Sequence, residues 1–140
     1  MYLLDTNVVS ELRLVRVGRA DTAVVEWSAK QPDSVLFLSA MTVMELEIGV
    51  LRMTRRDPKQ GNALRGWLTN FLLPSFAGRI LTVDHTIATL AASFHVPNPA
   101  PFSDSLIAAT AIVNGLTLAT RNTADFQRVG LNILNPWDAV

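Results

Sequence analysis

The chain has 140 residues, and its twelve Lys and Arg balance twelve Asp and Glu, which excludes a uniformly basic nucleic-acid coat and an acidic disordered tail. That length fits one domain over residues 1–140, while a charged fraction of only 17% implies that a partner covers some apolar surface. Cysteine is absent, which removes disulfides, thiolate chemistry and Cys-based zinc sites together and leaves oxygen or histidine to bind any metal.

Met1 leads straight into Tyr2-Leu3-Leu4 with no charged leader, and no run approaches the roughly 18 apolar residues of a membrane span, so a soluble cytoplasmic chain without membrane contact is expected. Tyr2 to Leu4 and Val35 to Leu38 are predicted strands, too short for independent helices and followed by polar or helix-starting residues. Thr42 to Met53 is apolar nearly all the way round, the pattern of a helix buried both by the sheet and by something else, such as a partner. Leu64, Trp67, Leu68, Phe71 and Leu72 follow the i, i+3, i+4, i+7, i+8 series of a core-facing helix, with Pro74 as its end. Ile80 to Val83 reads as an edge strand, and Asp84 as the cap of a helix over Thr86 to Ala92. Ser103 to Val113 has a polar start, a small-residue body and Gly115 as a stop. Leu116 to Ala119 and a weaker Leu131 to Leu134 complete the strands. Strands separated by helices return in parallel, so the expected class is α/β, a helix–sheet–helix sandwich around a central parallel sheet of four to five strands. Ligands then gather beyond the carboxyl ends of the strands, where the strand order switches direction.

Four acids fall at that end. Asp5 ends the first strand, Glu45 opens the helix after the second, Asp104 opens the helix before the fourth, and Asp125 follows the fourth. Each has a plainer role open to it. Thr42 to Glu45 matches a capping box, Ser103-Asp104 matches a helix cap, and Asp125 alone reads as a solvated turn residue. Asp5 is hardest to explain that way, because a carboxylate directly after Tyr2-Leu3-Leu4 is costly to bury unless paired or metal-bound. The coincidence of all four carries the signal.

Carboxylates drawn together repel, and without a cation some take up protons. Mg²⁺ prefers hard oxygen ligands and typically takes one or two carboxylates directly, keeping waters and room for a substrate phosphate. A metal there activates water and stabilises the leaving oxygen, so phosphodiester hydrolysis needs no Ser, His or Cys nucleophile.

Four motifs, in order, resemble the PIN domain: Leu3-Leu4-Asp5-Thr6-Asn7-Val8-Val9-Ser10-Glu11; Thr42-Val43-Met44-Glu45-Leu46 with Gly49; Phe102-Ser103-Asp104-Ser105-Leu106-Ile107-Ala108-Ala109-Thr110-Ala111; and Leu118-Ala119-Thr120-Arg121-Asn122 with Asp125-Phe126. More narrowly, the chain resembles the VapC/FitB-type toxins of type II toxin–antitoxin pairs, over essentially its whole length, including Phe76-Ala77-Gly78-Arg79-Ile80 and Asn135-Pro136-Trp137. The resemblance implies an endoribonuclease dependent on Mg²⁺ or Mn²⁺ that leaves a 5′-phosphate and a 3′-hydroxyl. It also implies inhibition by a cognate antitoxin and assembly as a homodimer or a toxin–antitoxin hetero-oligomer. Asp5, Glu45 and Asp104 are carried over as the acidic triad; the expected arrangement has Asp5 and Asp104 binding the metal and Glu45 either binding it through water or orienting the attacking water. Thr6 and Asn7 are carried over as supporting polar residues, and Thr120 and Asn122 are expected to support the site beside them.

Two departures from the family pattern stand out. Some members carry an acid directly after Thr-Arg, where this chain has Asn122, and others three residues on, where it has Asp125; Asp125 is adopted as the fourth acid and Asn122 as a neutral donor. The stretch from Ser93 to Ser103 is shorter and richer in proline than usual, implying a remodelled approach to Asp104.

Arg52, Arg55, Arg56 and Lys59 offer a phosphate path or, equally, a solvated helix end whose cations complement the dipole. Arg121 is placed for a phosphate or an acidic neighbour. His85 and His95 lack ligand spacing and are left outside the mechanism; Trp27, Trp67 and Trp137 read as core anchors without neighbouring cations. Two other functions compete: a catalytically silent PIN-like module that only binds RNA or a partner, and a phospho-acceptor receiver domain. The receiver pattern wants paired acids after the first strand and a late lysine, yet Thr6 follows Asp5 and no lysine follows residue 59. An Asp-x-Asp phosphatase fails similarly at Thr6-Asn7.

Overall fold

A computed structural model describes residues 1–128 and 130–138. Five short strands, β1 (Tyr2–Leu4), β2 (Leu36–Ser39), β3 (Ile80–Leu81), β4 (Thr117–Ala119) and β5 (Ile133–Leu134), form one sheet in the order β3-β2-β1-β4-β5. Every pairing is parallel. The chain builds outward from β1 on one side through β2 and β3, then crosses to the other side of β1 for β4 and β5. The switch of direction therefore lies between β1 and β4, where an open α/β sheet leaves a crevice beyond its strand ends. A receiver-type order of 2-1-3-4-5 is not what the chain adopts.

Alternation along the strands sorts the core into two layers. Leu4, Leu36, Leu38 and Ala119 face one side, where they meet Val8 and Val9 of α1 (Thr6–Arg13), Trp27 of α2 (Thr22–Ala29) and Leu46 and Val50 of α3 (Ala40–Arg56). Leu3 and Leu118 face the other, against Ile107, Ala108 and Ala111 of α7 (Phe102–Val113) and the buried Phe126. The helix α6 (His85–Ser93) packs outside α7 through Ile87, Ala91 and Ala109. The expected helix–sheet–helix sandwich is the fold observed. Asp84 caps α6 by accepting from the Ile87 amide at 2.9 Å, and β3 is at the sheet edge, as expected.

Two helices differ from expectation. The α3 helix begins at Ala40 rather than Thr42, because the Ser39 hydroxyl accepts from the Met41 amide at 3.0 Å and serves as its N-cap. Thr42 and Glu45 thus lie inside the helix, and the capping-box role is not the one they play. Of the apolar residues ringing α3, only Leu46 and Val50 are fully buried; Met44 and Leu51 remain about half exposed. The second difference is at Pro74. The α4 helix (Pro58–Gly66) opens into a wider π-helical turn, Trp67–Leu72, and closes as α5 (Leu73–Ser75). Pro74 therefore sits in the first turn of a new α-helical segment, where a missing N–H is tolerated, and the helix runs one residue beyond it.

Trp27 is buried and meets Tyr2 edge-on at 5.1 Å, and Trp67 and Trp137 pack partly buried on the same core. Trp137 does have a cation beside it: the Arg121 guanidinium lies 5.0 Å from its ring centre. No helix among the described residues is long and apolar enough to cross a membrane.

Candidate active site

The switch point is occupied by Asp5. It is the N-cap of α1, its backbone N–H donates to the Ala119 carbonyl at 2.9 Å, and only 6% of the residue is exposed. Burial pushes its carboxyl above the ordinary range, and the Thr120 hydroxyl and Thr6 amide pull against that shift by donating to the charged form. The Thr120 Oγ1 donates to Asp5 Oδ2 at 2.8 Å, and the Thr6 amide donates to Oδ1 at 2.8 Å. Asn7 Nδ2 reaches the same Oδ2 at 3.3 Å. The first and fourth strand ends are stitched together through these bonds, since the Asn7 Oδ1 also accepts from the Arg121 amide at 3.3 Å.

Glu45 enters from α3 one turn past its start. Its Oε1 accepts from the Thr6 hydroxyl at 2.8 Å, and the buried Thr42 hydroxyl stands 3.4 Å from the same Thr6 oxygen. Thr6 thus links Asp5 to Glu45, using its amide for one carboxylate and its hydroxyl for the other.

Asp104 lies in the first turn of α7, whose N-cap is Pro101 and which has no side-chain cap. The Ser103-Asp104 pair consequently does not cap the helix. Partial burial first, then the charges of Asp5, Glu45 and Asp125, hold the Asp104 carboxyl above its ordinary range, with Arg128 opposing them. The other three sequence-nominated acids are therefore close enough to act electrostatically on the Asp104 carboxyl group. Asp125 is exposed in a single 3-10 turn, Thr123–Phe126, anchored by the buried side chain of Phe126. The Asn122 contribution comes from its backbone: its N–H donates to Thr120 Oγ1 at 3.0 Å.

The donors are hard oxygens, suited to Mg²⁺ or Mn²⁺ and unsuited to a thiophilic ion. Among the described residues, no three acidic or histidine groups are already drawn together tightly enough to enclose an ion unaided. An ion that takes one or two carboxylates and completes its shell with water fits such an open arrangement. The accumulated like charge around Asp104 is what a cation would relieve.

The basic candidates other than Arg121 sit elsewhere. Arg52, Arg55 and Arg56 lie on the C-terminal half of α3, and at about 1.5 Å per residue Arg56 is roughly 16 Å along the helix from Glu45. Arg121 is exposed next to Thr120 and stacks on Trp137. His85 and His95 are not drawn into the acid cluster. Sequence reasoning passed over two contributors, Thr42 and Arg128. Thr42 was visible in the Thr-x-x-Glu spacing, whereas the approach of Arg128 to Asp104 is tertiary and leaves no local signature.

With this geometry in hand, the relatives are informative. The PIN domain family model matches residues 2–132. VapC ribonuclease Y4jK of Sinorhizobium fredii is 38% identical over 99% of this chain and 99% of its own length. Toxin FitB of Neisseria gonorrhoeae is 39% identical over 98% of this chain and 99% of its own. The crystal structure of FitAcB from Neisseria gonorrhoeae superposes with a TM-score of 0.87 at 36% identity, covering 99% of both chains. The fold, the ordered acids and these full-length matches agree that the chain belongs to the PIN domain family.

Proposed function

We propose that this chain is the toxin of a type II toxin–antitoxin pair and a Mg²⁺-dependent endoribonuclease, with Mn²⁺ as a substitute, that hydrolyses RNA phosphodiester bonds. The observation that carries the reading is the joining of Asp5 and Glu45 through Thr6 at the β1–β4 switch point, with Asp104 and Asp125 close enough to add their charge to the same cluster. Relatives named as a VapC ribonuclease and a FitB toxin support the activity and the biological role.

Asp5 and Asp104 would hold the ion. Bound there, Mg²⁺ supplies an attacking water of lowered pKa and neutralises charge at the scissile phosphate. Thr120, Thr6 and Asn7 turn the Asp5 carboxylate, and the donations from Thr120 and Thr6 favour its charged form against the opposing effect of burial. Glu45, fixed by the Thr6 hydroxyl, orients the water and accepts its proton. Asp125 adds negative charge beside Asp104 and supports the water network. Arg121 is the cation nearest in sequence to Thr120, exposed and available to a phosphate. Product ends are a 5′-phosphate and a 3′-hydroxyl. The partner is a cognate antitoxin that shuts the site until it is removed; the half-exposed Met44 and Leu51 on α3 are apolar surface for a second subunit or that antitoxin to cover.

The decisive assay incubates purified toxin with structured and single-stranded RNA, with Mg²⁺ or with a chelator. Cleavage that needs the metal and disappears in Asp5→Asn, with the far-UV spectrum unchanged, supports the assignment. RNA retention without metal-dependent cleavage identifies instead a silent binding module.

A further inference from the structure

The proline-rich segment before α7 has to deliver Asp104 to the site with little help from its own backbone. Residues 97, 99 and 101 are prolines and have no N–H to donate, and α7 starts without a side-chain cap. The first turn of α7 also carries Asp104 against the repulsion of three other carboxylates. Something must tie that turn down.

His95 is the residue placed to do so. It directly follows the C-cap of α6, where its own N–H donates to the Ala92 carbonyl at 3.1 Å. Both ring nitrogens are engaged: the Ala100 amide donates to Nδ1 at 3.4 Å, and Nε2 lies 2.9 Å from the Ser105 hydroxyl. An amide can only donate, so Nδ1 is the acceptor and Nε2 carries the proton that goes to Ser105. Ser105, 4% exposed, donates a hydrogen bond from its hydroxyl to the Phe102 carbonyl at 2.8 Å. The imidazole also packs edge-on against Phe102 with ring centres 5.1 Å apart. One ring therefore joins the end of α6, the proline loop at Ala100, and residues 102 and 105, which bracket Asp104.

We infer that His95 is a positioning residue for the nuclease site, acting through Ser105 to hold the first turn of α7 so that Asp104 faces Asp5 and Glu45. The inference rests on the metal-site reading above, and it assigns a role to the histidine that its spacing alone leaves outside the mechanism. His95 touches neither substrate nor metal; its contribution is to the geometry and affinity of the ion site.

The test compares wild type, His95→Ala, His95→Gln, Ser105→Ala and the control His85→Ala on α6. Amide hydrogen exchange in residues 103–106 is measured on the full-length toxin, together with Mn²⁺ affinity by calorimetry. His95→Ala and Ser105→Ala are expected to speed exchange of that turn at least about tenfold and to weaken Mn²⁺ binding by about 10- to 100-fold, the usual range for residues that orient a ligand. His95→Gln, which keeps a donor for Ser105, should recover most of both, and His85→Ala should match wild type. Wild-type exchange in Ser105→Ala, or His95→Gln as fast as His95→Ala, overturns the positioning role. A wild-type protein that binds no Mn²⁺ instead overturns the metal site, while the exchange rates still decide the clasp.

Discussion

The Thr120 hydroxyl donates to Asp5 Oδ2 at 2.8 Å across 115 residues of sequence. That bond joins the end of β4 to the end of β1, the two strands flanking the topological switch, and it acts on the most buried of the four acids. Parallel pairing of Leu4 with Ala119 makes it possible, since each is the last residue of its strand. The next residue on either side, Asp5 or Thr120, then emerges at the same level of the sheet.

Thr120→Val keeps the shape and removes the proton. The bond lowers the Asp5 pKa against the upward push of burial, so its loss raises that pKa further. At a given pH less Asp5 is ionised, and the acid limb of the cleavage rate should move to higher pH. Loss of a hydrogen bond to a charged group also costs about 1.5–3 kcal/mol of stability. A pH–rate profile overlaying that of wild type is inconsistent with this role for Thr120.

Asp104 makes the opposite kind of prediction. Its folded-state pKa is raised, so the native state binds the proton more tightly than the unfolded chain does. Its favourable effect on stability is present below the unfolded pKa, near about 3.9, and is lost as pH rises through the folded value. At neutral pH in chelator the charged Asp104 is a burden, and Asp104→Asn should raise the melting temperature by a few degrees. That gain should shrink near pH 3, where wild-type Asp104 is itself neutral. Adding Mg²⁺ should stabilise wild type more than the variant. Thermal melts at both pH values, with chelator and with Mg²⁺, check all three statements; a destabilised variant in chelator at pH 7 contradicts them.

The fourth acid can be decided by two substitutions. Asp125 contributes charge at Asp104, whereas Asn122 contributes its backbone N–H to Thr120. Asp125→Asn should therefore lower metal-dependent cleavage by about 10- to 100-fold, while Asn122→Ala, which retains the amide, should stay within a few-fold of wild type. Equal losses in single-turnover cleavage would show that the Asn122 side chain works as well.

How much of this was legible beforehand follows from where each residue lies. Asp5 and Asp125 follow strands, and Glu45 and Asp104 lie in the first two turns of helices, so the apolar periodicity that locates the elements also locates the acids. The strands were recognisable within one to two residues because Leu3 and Leu4, or Leu118 and Ala119, are divided between two core layers. Contacts made across the fold had no such periodic trace. Arg128 near Asp104, Trp137 under Arg121 and the His95–Ser105 pair depend on how loops return to the sheet. Even the start of α3 was displaced, because Ser39 outcompeted Thr42 as the cap only once β2 ended there.

Gly61 and Gly66 of α4 provide a paired test of helix packing against the C-terminal part of α3. A Cβ on Gly61 would fall 2.5 Å from the Thr54 Cα, a backbone atom of α3 that cannot move without shifting the helix. Gly66 has ordinary helical angles, φ −59° and ψ −44°, and open space where its Cβ would go. Gly61→Ala should therefore destabilise by about 1–3 kcal/mol through overpacking, and Gly66→Ala should stabilise by about 0.4–1 kcal/mol through the lower entropy of the unfolded chain. Urea unfolding reads both from the midpoints. Because α3 also carries Glu45 and Thr42, a helix pushed off α4 should draw Glu45 away from Thr6, so Gly61→Ala should lose cleavage even at temperatures where it remains folded. Full activity in a folded, destabilised Gly61→Ala protein would mean that the α3–α4 contact supports stability without setting the position of Glu45.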